Sequence, residues 1–172
     1  TYEQFYAFHE RYYHPSNARI FFYGDDDPEE RLHRLEAVLK AFEPVSVDSN
    51  VQLQLPFDKP GKRVHPYMAG EEDGANPRGM ITVNWLLEET TRVDVNFSLR
   101  ILEYILLGMP ASPLRKALID SGLGEDLTGG GLETELRQMY FSTGLKGIET
   151  ENAQKIEDLI LDTLKSLSLS GI

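Results

Sequence analysis

Four histidines, His9, His14, His33 and His65, are the side chains best suited to hold a catalytic metal in a chain of 172 residues that has no cysteine. Only the run His9, Glu10, Arg11, Tyr12, Tyr13, His14 puts imidazoles and a carboxylate in a motif-like order. In the zinc-hydrolase pattern His-Glu-x-x-His, the two imidazoles lie four residues apart on one helix face and the glutamate serves as general base. Here the spacing is five, which at about 100° per residue turns the rings about 140° apart. They cannot close on one ion there. The inverse pattern, His-x-x-Glu-His, occurs nowhere in the chain. No metal ligand is therefore assigned, and His14, which precedes Pro15, reads as a helix-end or packing residue.

Other chemistries find no better footing. Gly-x-Ser-x-Gly is missing, and Ser112 and Ser121 stand where a helix cap and a helix stop are expected. Gly129, Gly130 and Gly131 invite a phosphate-loop reading, but no Lys-Ser or Lys-Thr follows them; three glycines after an acidic strand mark a flexible or bulged turn. Carboxylates cluster at Asp25 to Asp27, Glu71 to Asp73 and Glu88 to Glu89, each explained as a helix cap or a solvated loop. A calcium loop would need further spaced oxygen ligands that Asp25 to Asp27 lack. No catalytic, cofactor-binding or metal-binding residue is assigned.

The elements that frame these residues are legible from periodicity and breakers. Pro15 ends a helix predicted over 2–13. The apolar run 18–23, bounded by Asn17 and Gly24, predicts a buried strand. Asp27 caps a helix over 28–42, with Pro28 at its first position and Glu29 and Glu30 in its first turn. Its stripe is Leu32, Leu35, Val38 and Leu39. In the first helix Phe5, Phe8 and Tyr12 read as core, with Tyr2, Tyr6 and Tyr13 turned to another part of the molecule. Periodicity then fades over 43–61, between Pro44, Pro56 and Pro60, with an extended piece at 51–55. Beyond it come an edge strand at 62–67, a surface loop at 70–79, a strong strand at 80–87 and a helix over 93–108. A helix over 112–121 follows, with Ser112 as cap and Gly122 and Gly124 as stop. Strands at 126–130 and 137–145 precede a last helix over 150–166, capped by Thr150. Trp85 reads as core. The class is α+β: an antiparallel or mixed sheet with helices packed on one face. Parts of two such domains are expected, with 1–43 closing one, 44–61 linking, and 62–172 opening the second.

Composition narrows function. The formal net charge is −11 and apolar residues make up 41%. A nucleic-acid surface would work against that field, and no basic cluster interrupts it. The longest apolar stretch, near 101–109, is too short to span a bilayer. Without cysteine there is no disulfide, thiolate nucleophile or cysteine-bearing metal site. Because the chain opens inside a helix and closes just after one, it reads as a fragment of something longer.

Three motifs carry a resemblance. An aromatic helix ending in Tyr-Tyr-His-Pro-Ser-Asn, a short strand closing on Gly-Asp and a new helix fill 12–28. Val-Asn-Trp-Leu-Leu follows at 83–87, and Leu-Gly-Met-Pro-Ala-Ser-Pro-Leu-Arg-Lys-Ala-Leu-Ile-Asp-Ser-Gly-Leu-Gly at 107–124. Together these resemble the pitrilysin-like zinc metalloendopeptidases, in the presequence protease branch, and the sheet then takes the form seen in mitochondrial-processing-peptidase-like domains. The resemblance implies a longer polypeptide whose two clam-like halves enclose an acidic chamber where unfolded peptides, such as cleaved targeting peptides, are cut. Zinc there polarises water and a glutamate acts as base. It also implies partners in the rest of the same polypeptide, neither nucleic acid nor membrane as partner, and an address in mitochondria or chloroplasts. This chain would be a noncatalytic segment, from the end of the zinc domain into its sister domain. The family's supporting arginine and tyrosine come from the opposite half, so Arg115 and Tyr140 inherit no such role. Two other readings stand beside this one: a metal-free scaffold or peptide-binding domain of the same fold in a processing or respiratory complex, and an unrelated α+β binding module.

Overall fold

The computed structural model describes residues 1–68 and 78–171. The chain divides into two compact units, Thr1–Gln52 and Leu53–Ile172. The loop expected at 70–79 and the carboxylates Glu71 to Asp73 fall almost wholly outside the described residues.

The larger unit is built on a three-stranded antiparallel sheet, with β1 (Gly79–Glu89), β2 (Asp126–Glu133) and β3 (Gln138–Ile148) in the order β1-β3-β2. Strict alternation explains why β1 forms: Ile81, Val83 and Trp85 turn to one face and pack on the core, while Met80, Thr82 and Asn84 stay exposed on the other. Register places Ile81 opposite Leu145, Val83 opposite Thr143 and Trp85 opposite Phe141, whose rings lie 5.8 Å apart. Trp85 thus packs as expected.

Helices cover that face. The core joins Leu106, Leu114 and Leu118 to Leu145 and Ile148 of β3 and to Ile156 and Ile160. These come from a π turn (Tyr104–Gly108) that ends α3 (Val93–Glu103), from α4 (Pro113–Asp120) and from α5 (Ala153–Ser170). The α+β class stands.

Several boundaries moved for physical reasons. The three glycines form no turn: β2 runs through them to Glu133, and the register shifts between Thr128 and Gly131, a bulge made possible by positive φ at Gly129 and Gly131. Thr150 does not cap α5; it opens a short 3-10 turn, and Asn152 takes the cap position without a side-chain bond. The helix over 93–108 gives way to the wider π turn for its last five residues.

The smaller unit carries α1 (Tyr2–Tyr12) and α2 (Pro28–Leu39). Thr1 and Gln4 form a capping box on α1, Pro15 follows its end, and Asp27 accepts from Glu29 N at 2.8 Å to cap α2. Helix α2 stops three residues early, with Leu32 and Val38 exposed and only Leu35 and Leu39 half-buried. The strand expected at 18–23 is not formed, and Phe21 and Tyr23 are almost fully exposed. Nor are Phe5 and Phe8 core: both are exposed, with Phe8 tilted on Tyr12 and Tyr2 stacked on Tyr6. The cause is common to both misses. A strand needs a neighbour and an aromatic stripe needs a facing layer, and the described residues of this unit include no sheet to supply either. Residues 51–55 and 62–67 likewise enter no ladder.

Candidate functional site

The stretch 107–124, the most distinctive of the three motifs, is where sequence constrains geometry most tightly. Ser112 is buried at the N-cap position of α4, yet its hydroxyl does not cap that helix. It accepts from Met109 N at 3.0 Å and donates to Tyr104 O at 3.3 Å, closing the end of the π turn. Pro113 occupies the first position of α4, and Leu114 and Leu118, one turn apart, sink into the core. At the far end Ser121 Oγ donates to Leu118 O and accepts from Leu123 N, which stops the helix. Lys116 pairs with Asp120 on the same helix, and the charge of Arg115 acts on Asp126. Every polar group named here is spent on structure.

The same is true of the carboxylates. Asp26 pairs with Arg31, and that hydrogen bond holds its carboxyl below the usual range. Glu88 meets Arg92 at 3.0 Å and Glu89 meets Arg137 at 3.4 Å. Asp126 is held low first by the backbone N–H of Leu127 and then by Lys146, 3.2 Å away. All are solvent-facing helix or strand-end pairs rather than acids poised by burial.

Zinc was tested against the histidines. His9 stacks on Tyr13 with ring centres 4.6 Å apart. His14 opens a 3-10 turn, its Nδ1 accepts from Ser16 N at 3.2 Å, and its ring meets the edge of Phe42. Both border an open cleft of about 550 Å³, but each imidazole has its own neighbour. Among the described residues, no group of three His, Cys, Asp or Glu side chains is arranged to hold a metal. These residues do not fit a zinc site, and no chemical step is routed through one. Among the described residues, no helix is long and apolar enough to cross a membrane.

The model of the peptidase M16 inactive domain matches residues 1–172. The chain belongs to the peptidase M16 family. Presequence protease 1, chloroplastic/mitochondrial, of Arabidopsis thaliana is 48% identical over 99% of the chain, which spans 16% of that protein. The mitochondrial presequence protease of Xenopus tropicalis is 34% identical over the whole chain, 17% of its own length. Protein HypA of Clostridium perfringens is 34% identical over the whole chain, 18% of its own length. The chain thus spans about one-sixth of these relatives, and within the M16 family it sits with the presequence protease branch.

Two features of this M16 domain escaped the sequence reading. The role of Ser112 was misassigned because a serine before proline carries the same cap signal whichever way its hydroxyl turns. The second face of α3 was overlooked, although Val93, Phe97, Ile101 and Tyr104 recur at helical spacing and could have been read.

Proposed function

We propose that this chain is the noncatalytic portion of a zinc metalloendopeptidase that degrades unfolded peptides, such as cleaved organelle targeting peptides, and that it forms part of the wall of a peptide-enclosing chamber. The observation that carries this reading is the 48% identity to a plant presequence protease across 99% of the chain. Zinc and its glutamate base would belong to other residues of the longer polypeptide. The address would be a mitochondrion or a chloroplast, following the names of the plant and animal relatives.

The purified 172-residue protein is expected to hold no stoichiometric zinc and to leave a cationic test peptide intact, while the full-length polypeptide hydrolyses it. Metal analysis finding one tight zinc per chain, lost when His9 or His14 is replaced, would overturn this. A metal-free scaffold of the same fold accounts equally well for the engagement of both histidines bordering the cleft. Reading the open frame around the segment decides between the two, because only the peptidase requires a His-x-x-Glu-His elsewhere in it.

Residues 1–43 and 62–172 are further proposed to belong to two successive α+β domains joined by 44–61. Limited proteolysis is expected to cut first within 44–61. Early cleavage inside α3, with 44–61 resistant, would show this division to be wrong.

A further inference from the structure

One bond in the smaller unit depends on the protonation state of a single ring. Pro15 has no amide proton, so Ser16 N–H is the first donor of the 3-10 turn Pro15–Asn17 that needs an acceptor. It finds His14 Nδ1 at 3.2 Å. A neutral imidazole that accepts at Nδ1 carries its one proton on Nε2. Ser16 passes the constraint on, because its hydroxyl accepts from Val45 N at 3.1 Å, 29 residues away in the chain. The His14 ring also stands at right angles to Phe42, with ring centres 5.7 Å apart. His14 and Ser16 thus tie residues 42–45, which follow α2, to the turn that follows α1.

Acid undoes this tie at a defined atom. A proton taken up from solvent at Nδ1 fills the lone pair that Ser16 N–H uses, and two donors then face each other. The bonds from Asn17 N to His14 O at 2.9 Å and from Ala18 N to Pro15 O at 3.0 Å do not involve the ring, so the turn keeps its backbone bonds while Ser16 loses its anchor. The surroundings of the ring leave the response to imidazole. From α1, His9, Tyr12 and Tyr13 line the same cleft, with His9 stacked on Tyr13, Arg11 held over the Tyr12 ring and Glu10 exposed. From the end of α2 and the segment beyond it come Leu39 and Phe42, which carry no charge, and Lys40 and Glu43 beside them are exposed. Imidazole is the side chain suited to change charge between about pH 5 and 8. Of the two rings here, His14 is the one that accepts from a backbone N–H.

We propose that His14 is a pH-sensitive clasp: its neutral ring holds residues 42–45 against the turn after α1, and its protonation frees them, loosening the start of the stretch 44–61. The clasp is closed above the pH at which the ring takes its proton and opens as the pH falls through it. It acts within this chain and stands apart from the peptidase reading.

Hydrogen exchange of the purified 172-residue protein, corrected for the intrinsic effect of pH on exchange, tests this. The Ser16 and Val45 amides are expected to be at least about tenfold better protected at about pH 7.5 than at about pH 5.5, while amides within α1 and α2 keep their protection. The loss should track the titration of the His14 ring followed by nuclear magnetic resonance. His14→Asn supplies an acceptor oxygen that takes no proton in this range, and both amides should stay protected at either pH. His14→Phe keeps a ring beside Phe42 without the acceptor, and both amides should exchange freely at either pH. Where His14→Phe does not fold, the parent and His14→Asn decide between them. Equal protection of Val45 at both pH values in the parent would overturn the clasp. So would a loss in acid that persists in His14→Asn and vanishes in His9→Gln, which would assign the response to His9.

Discussion

Gly144→Ala is expected to abolish the folded sheet. Gly144 lies on the central strand β3, opposite Thr82 of β1 and Thr128 of β2. A Cβ there would lie 1.8 Å from Ile81 O, 2.8 Å from Ile81 C and 2.9 Å from Thr82 Cα. All three are backbone atoms, so no side chain can swing aside. Strand β1 would have to move by more than an ångström, breaking ladder hydrogen bonds and lifting Ile81 and Val83 off the core. Loss of more than about 4 kcal/mol is expected, which is exceptional for one methyl group and a large share of the roughly 5–15 kcal/mol that holds a domain together. Gly130→Ala is the control, since a Cβ there meets nothing within 4 Å; its effect should stay within about 0.5 kcal/mol. Urea unfolding followed by circular dichroism compares them. A Gly144→Ala protein as stable as its parent would show that the strands do not approach so closely.

Leu118→Ala should cost roughly 2–5 kcal/mol, the range for truncating a buried leucine. Leu118 is 1% exposed within the cluster of Leu114, Leu145, Ile156 and Ile160. The cost has two parts, the lost transfer of the removed methyls and the cavity left behind, and the second is large where neighbours cannot collapse. Three of those neighbours are fixed by other elements: Leu145 by pairing on both sides of β3, and Ile156 and Ile160 by α5. Arg115→Ala on the same helix is expected to cost much less, because its charge acts on a solvent-exposed aspartate. If Leu118→Ala were neutral while Arg115→Ala abolished peptide binding by the full-length protein, the stretch 107–124 would be a substrate site rather than a structural joint.

The sequence made the larger unit legible because its signals and its partners lie in the same stretch of chain. The alternation along β1 found its match in β3, and the helix read over 150–166 places Ile156, Ile160 and Leu164 in the core beside the sheet. Residues 18–23 carry as strong a strand signal as 80–87, yet only the second is paired. Pattern reports what a segment could bury, and pairing depends on what stands beside it. The resemblance to M16 peptidases was equally readable, since the motifs at 12–28, 83–87 and 107–124 reflect caps, breakers and core positions. Ser112 was not readable, because its hydroxyl serves a π turn that no residue type announces.

The strand order β1-β3-β2 sets a timetable for synthesis. The middle strand is the last of the three to leave the ribosome, so β1 must wait while about 50 residues are added, several seconds at roughly 5–20 residues per second. Through that interval the run from Met80 to Leu87 has no strand to pair with and no charge to discourage neighbours. Helices α3 and α4 emerge in the meantime and can form locally, but the helix that packs on β1 is α5, which follows β3, so the apolar side of β1 waits for its cover as well as for its partner strand.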